Sequence, residues 1–129
     1  MVQAGVDEET EQLLDATLAG IDYKLGADPI VLEMTELLGV VDYFVVTAGR
    51  NDRQVRTLAE EVERRAKLAV GRGPTRVEGL DDARWVLLDF GDVVVHVFDQ
   101  ETREYYDLEH LWSVAPRRAV AAAAAAEPE

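Results

Sequence analysis

The chain has 129 residues, 48% hydrophobic and 30% charged, which is one ordinary domain with enough apolar material for a core that needs neither disulfides nor a metal. It has no cysteine, which excludes a disulfide framework, a thiolate zinc site and a cysteine nucleophile. Acidic residues outnumber basic ones 26 to 13, a formal charge of -13; such a field repels phosphate backbones, argues against nucleic acid as the main direct contact and favours a basic partner.

The N-terminus, MVQAGVDEET, is acidic and polar where a signal peptide would be basic and then apolar. No apolar run approaches the roughly 20 residues of a membrane helix, so a cytoplasmic location without membrane contact is expected. From Asp7 to Leu25, Leu14, Leu18, Ile21 and Leu25 recur at spacings of three and four, which predicts an amphipathic helix stopped by Gly26 and Pro29. Ile30 to Met34 reads as a short strand, Leu37 to Val41 as a connection or strand start, and Asp42 to Ala48 as a buried strand. Asn51, with Gln54 three residues later, caps a helix from Asp52 to Val70 whose apolar stripe is Val55, Leu58, Ala59, Val62, Ala66 and Ala69. The glycines and proline of residues 71 to 74 end it, Thr75 to Glu78 is a short strand, and Gly79 to Ala83 a turn. Arg84 to Phe90 and Val93 to Phe98 are strands, and a short helix is expected around Asp107 to Trp112. Residues 1 to 117 read as one domain; 118 to 129, rich in alanine, read as a frayed helix or disordered tail. The pattern predicts an α/β (α+β) fold, a mixed five-stranded sheet with its helices mainly on one face and the other face exposed.

Between the last two strands, Gly91-Asp92 has the form of a two-residue hairpin loop with glycine first. That register pairs Asp89 with Val94, Leu87 with His96 and Trp85 with Phe98. Side chains alternate, so Val86, Leu88, Phe90, Val93, Val95 and Val97 face the core while Trp85, Leu87, Asp89, Val94, His96 and Phe98 share the opposite face. Aromatic and apolar residues with sparse charges are expected there to bind a protein. The competing arrangement has Tyr105, Tyr106 and Trp112 covering this face from within the chain.

The triplet Asp89-Phe90-Gly91 matches the metal-binding triplet of protein kinases, but the glycine-rich loop, strand lysine and catalytic loop are missing. Ser113 is the only serine, which leaves little room for covalent catalysis, and His96 lacks converging partners for a metal. Carboxylates meeting across strands, such as Asp89 with Asp42 or Glu78, remain open as acid/base groups.

The segment VVDYFVVTAGRNDRQVRTLAEEVE, then Glu78-Gly79, ARWVLLDFGDVVVHVF and REYYDLEHLW, resembles the ribosomal silencing factor family, also called Iojap-like proteins, over residues 8 to 115. The resemblance implies a nucleotidyltransferase-like fold without catalytic residues. In agreement, Ala48-Gly49-Arg50 stands where a transferase needs Gly-Ser, and no Asp-x-Asp occurs. It implies a translational repressor, not an enzyme and without a cofactor, that binds the large ribosomal subunit through its protein L-fourteen and blocks joining of the small subunit. Trp85 and Leu87 are then the expected apolar anchors. Asp89, Glu78 and Asp42 are expected to meet basic residues of the partner, with His96 and Phe98 on the same face and Arg53 at the start of its helix holding an aspartate internally. Gln54 stands where many members have histidine. The alternative is a metal-dependent, nucleotidyltransferase-like nucleotide-binding enzyme, which calorimetry with nucleoside triphosphates and magnesium would detect; a homodimer through the exposed face is a third arrangement.

Overall fold

In the computed structural model, which describes residues 7 to 120, both long helices start where the sequence supplies a cap. Helix α1, Glu8–Tyr23, follows Asp7, whose carboxylate accepts from the Thr10 backbone N–H at 3.0 Å, and Glu8, Glu9 and Glu11 sit in its positive first turn. Helix α3, Asp52–Val70, follows Asn51, which accepts from the Gln54 N–H at 2.8 Å, and it ends at Gly71 in the left-handed conformation. Between them lie strand β1, Ala27–Glu33, helical turn α2, Thr35–Leu38, and strand β2, Tyr43–Gly49. The segment Leu37 to Val41 therefore begins as helix and turns at Gly39, and holds no strand start. Strands β3, Arg76–Glu78, β4, Trp85–Asp89, and β5, Val93–Asp99, follow α3.

The sheet runs β3-β4-β5-β2-β1-β6, with β2 and β5 parallel and the other neighbours antiparallel. It is mixed, as expected, with six strands rather than five. The addition is β6, Arg117–Arg118, paired with Val31 and Leu32 of β1. Two arginines after a proline carry no strand signature; pairing is fixed instead by Arg118, which ion-pairs with Glu11 at 2.9 Å and donates to the Tyr43 hydroxyl. Arg118 thus belongs to the domain rather than to a tail, and Val120 packs against the core. The rest of the alanine-rich run lies outside the described residues.

The expected hairpin register holds: Trp85 pairs with Phe98, Leu87 with His96 and Asp89 with Val94. Gly91 has φ 96°, a value that its loop position favours and that a side chain would strain. Val86, Leu88, Phe90, Val93, Val95 and Val97 face α1 and α3 in one core with Leu13, Leu14, Ile21, Val55, Leu58 and Val62. The opposite face is not open throughout. Helices α4, Gln100–Tyr106, and α5, Leu108–Leu111, fold across it, and Leu108, Trp112 and Ala115 cover Leu32, Phe44, Val46, Ala48, Val94 and Phe98. The competing arrangement is therefore realised over β1, β2 and β5, with Trp112 as its centre.

What holds α4 there is a buried arginine. A register shift between Ala27 and Ile30, with Asp28 at φ 42°, leaves carbonyls of β1 turned out of the ladder. Arg103, 6% exposed, donates to the carbonyls of Ala27 at 3.0 Å and Asp28 at 2.8 Å, and pairs with Glu109 of α5 at 3.1 Å. One guanidinium joins the sheet edge to both short helices.

Candidate functional site: the tryptophan strand

The strand register sorts the predicted site residues into rows on the second face. Glu78, Leu87, His96 and Val46 are successive partners across β3, β4, β5 and β2. Arg76, Asp89, Val94 and Phe44 form the row nearer the hairpin turn, and Trp85, Phe98 and Ala48 the row at the far end. Where α4, α5 and Trp112 stop, the outer strands β3 and β4 stay accessible: Glu78 is exposed, and Trp85, Leu87 and Asp89 are partly so.

His96 and Phe98, expected on the contact surface, are 4% and 0% exposed. They cannot be touched by a partner in this conformation. They support the face from below, because β5 is central in the sheet and the short helices close over it. Trp85 lies on this support. Its ring is 4.8 Å from that of Phe98 and 4.9 Å from that of Tyr106, and its Nε1–H donates to His96 Nδ1 at 3.1 Å. Burial pulls the His96 pKa down to about 4, so the imidazole is neutral at physiological pH with its proton on Nε2. The turn before β4 presses on the same residue. A Cβ on Gly79, where φ is 93°, would sit 2.0 Å from the Trp85 carbonyl oxygen, so glycine is required next to Glu78.

Beside Trp85 is a shallow pocket of about 580 Å³, walled by Trp85, Tyr105 and Tyr106 and rimmed by Asp82, Arg84 and Glu101. Its helix, α4, was not expected from the sequence. The residues from Asp99 to Tyr106 lack an apolar stripe, but Asp99 is a cap that could have been found, accepting from the Thr102 N–H at 3.0 Å. Arg76 was also missed. It lies two residues from Glu78 on a strand, hence on the same side, and reaches Glu78 at 3.1 Å and Asp89 at 3.4 Å. Two of the three carboxylates expected to meet a basic partner, Glu78 and Asp89, thus share a basic residue of their own chain. With Arg76 and Glu78 well exposed, such pairs contribute only about 0–1 kcal/mol and can be exchanged for a partner's charge. Asp89 also accepts from the Gly91 N–H at 2.8 Å, bracing the hairpin turn.

Asp42 is not brought to this patch. It stands two strands away, ahead of β2, where it accepts from the Thr35 hydroxyl at 3.0 Å. Its backbone N–H bonds the carbonyl of Asp92, whose carboxylate takes Arg72 at 2.8 Å and the Thr10 hydroxyl at 2.6 Å. Burial of Asp92 works against its charge, yet the hydrogen bonds from Arg72 and Thr10 hold its carboxyl below the usual carboxylate range. This end of the sheet is a structural tie between the turn, α1 and the C-terminal side of α3. Arg53 is exposed, and the internal contacts expected of it are made one turn later by Arg56, to Asp52 at 3.3 Å and to the carbonyls of Leu80 and Asp81. Gln54 braces the corner after α1 through the carbonyls of Lys24 and Leu25, both at 3.2 Å.

Among the described residues, no three His, Asp or Glu side chains converge as a metal site, and no helix is long and apolar enough to cross a membrane. What the tryptophan strand presents is a supported aromatic surface with an exchangeable charge pair beside it.

Residues 7–129 match the family model described as "Ribosomal silencing factor during starvation". The chain is 42% identical over 106 residues to the ribosomal silencing factor of Bacillus subtilis, covering 82% of this chain and 89% of that one. It is 32% identical over 89 residues to the mouse protein named for mitochondrial assembly of the ribosomal large subunit, covering 67% of this chain and 39% of that one. A crystal structure from Bacillus halodurans superimposes with a TM-score of 0.75 at 36% identity, covering 85% of this chain and 99% of that one. With nearly the whole described domain matched in sequence and in fold, the chain belongs to the ribosomal silencing factor family.

Proposed function

We propose that this protein represses translation by docking the tryptophan strand on the large ribosomal subunit, at its protein L-fourteen, where it occupies surface the small subunit needs. The observation that carries this reading is the Trp85 patch: an aromatic anchor rigidly backed by Phe98 and His96, beside a pocket with two carboxylates on its rim. Family membership supplies the ribosome, and the name of the mouse relative points to the large subunit. The formal charge of -13 suits a basic protein bound at the edge of an RNA-rich particle. Action is steric, in the cytoplasm, without turnover and without a cofactor. Trp85 and Leu87 are the apolar anchors; Glu78 and Asp89 exchange Arg76 for the partner's basic residues on binding. A contact of this kind buries on the order of 1,200–2,000 Å².

The test is co-sedimentation with isolated large subunits at low and high salt. Binding at low salt that weakens as salt rises supports the reading, and absence of binding at both refutes it. Trp85→Ala, folded by circular dichroism, should lose co-sedimentation; unchanged affinity would move the contact elsewhere on the molecule.

A further inference from the structure

His96 is an unusual choice for its position. It lies in the middle of the buried central strand β5, between Val95 and Val97, and its Nε2 has no hydrogen-bond partner. Because Nδ1 accepts from the Trp85 indole, the neutral ring must carry its proton on that unpartnered nitrogen. A buried donor left unpaired is destabilising, and an apolar side chain would fill the same space without that cost. The neighbours on the same face are apolar or aromatic: Phe44 packs edge-on at 4.8 Å between ring centroids, and Leu87 and Val46 flank the ring on the adjacent strands. Nothing in this surrounding needs a histidine except the indole N–H.

That N–H does need one. Trp85 has the aromatic rings of Phe98 and Tyr106 against it, contacts that set its depth but, unlike a hydrogen bond, select no one direction for the indole N–H. A single directional bond at 3.1 Å selects one orientation and so determines which edge of the indole is presented beside Leu87 and the Tyr105–Tyr106 wall. We propose that His96 is a positioning residue for binding: it keeps a poorly satisfied imidazole in the core in order to hold the Trp85 indole in its docking orientation. This rests on the reading of Trp85 as the ribosomal anchor.

Two isosteric variants separate the roles. Asparagine places an oxygen acceptor near the position of Nδ1, whereas leucine has the same branching and no acceptor. His96→Leu should keep or raise the melting temperature yet weaken co-sedimentation with large subunits about five- to tenfold, the loss of one oriented hydrogen bond. His96→Asn should restore affinity to within about twofold of the parent. The native protein offers a second readout if either variant fails to fold: with only two tryptophans, two indole N–H signals appear in a ¹H–¹⁵N spectrum, and that of Trp85 should exchange with solvent at least about tenfold more slowly than that of an unbonded indole. Equal affinity of the leucine and asparagine variants, or an unprotected Trp85 indole, overturns the proposal. Loss of stability and affinity in parallel in His96→Leu also overturns it, by making the residue merely structural. If Trp85→Ala binds normally, the docking reading itself fails, and the indole exchange still reports on the bond.

Discussion

The two faces of the sheet are built on opposite plans. On the first, α1 and α3 supply 16 and 19 residues of helix over an apolar cluster that includes Leu13, Leu58, Val62, Leu88 and Val95. On the second, α4 and α5 supply 7 and 4 residues, and the layer they cover contains an unpartnered histidine nitrogen and reaches β4 only in part, through Tyr106 on Trp85. The short helices leave Tyr105, Leu111 and Val114 more than two-thirds exposed. One face holds the domain together; the other trades packing for a presented surface. The first face holds the larger buried apolar cluster, so the second can carry an imperfect contact without unfolding the chain.

The largest effect should come from the first face. Leu88→Ala removes a fully buried side chain from beneath α3 and should cost about 3–5 kcal/mol in urea melts, with affinity for large subunits unchanged in the fraction that remains folded. A smaller cost from that substitution would mean the first face is not the main support. Next, Arg103→Ala leaves the Asp28 carbonyl and Glu109 without this partner and the Ala27 carbonyl with only the Thr47 hydroxyl, and should cost about 3 kcal/mol. Unlike Leu88→Ala, it should also loosen the cover of the second face, seen as loss of near-ultraviolet dichroism from Trp85 and Trp112 before global unfolding. If both variants lose all signals in one transition, the faces are a single cooperative unit and the contrast is only geometric.

The same contrast explains what could be read from the sequence. The first face was legible because its signals are redundant: a cap at Asn51, helical stripes through Leu14 and Leu58, and a hairpin whose register Gly91 fixes to the residue. The candidate strand followed from that register: Trp85, Leu87 and Asp89 lie together on it, with Glu78 beside Leu87 on the neighbouring strand β3. The second face was not legible because its structure rests on single long-range contacts. α4 has little helical pattern and is held by Arg103 reaching 76 residues back along the chain to Ala27. β6 is two arginines fixed by Glu11, 107 residues away. Burial of His96 and Phe98 follows from those contacts, and alternation along a strand gives the side of a residue but not what covers it.

Acid should probe the second face before the first. The folded state holds His96 neutral with a pKa of about 4, while the unfolded chain takes up a proton near pH 6.5. A depressed histidine pKa means that its contribution is complete above about pH 6.5 and is lost as pH falls toward about 4, on the order of 3 kcal/mol in all. The carboxylates Asp92, Glu11 and Glu61, held below their ordinary values, stabilise the fold across this range and lose that contribution mainly in more acid solution. Urea midpoints should therefore fall between pH 6.5 and 4.5 in the parent and stay nearly level in His96→Leu. A parallel decline in both would assign the acid sensitivity to the carboxylates instead.

The smallest expected effect tests where β6 belongs. The Tyr43 hydroxyl donates to Glu11 at 2.6 Å and receives Arg118, linking α1, β2 and the last strand on the first face. Burial, with the hydrogen bond to Glu11, raises the Tyr43 pKa to about 12. Because the folded pKa lies above the unfolded value near 10, this contribution is present below about pH 10 and lost as pH rises toward 12. Tyr43→Phe keeps the ring and the Glu11–Arg118 pair, so at pH 8 it should cost only about 1 kcal/mol, with no change in co-sedimentation. Its cost should shrink further above pH 10, where the parent begins to lose the same bond. A loss of ribosome affinity in this variant would show that the β6 latch transmits to the tryptophan strand, and the separation of a holding face from a presenting one would have to be abandoned.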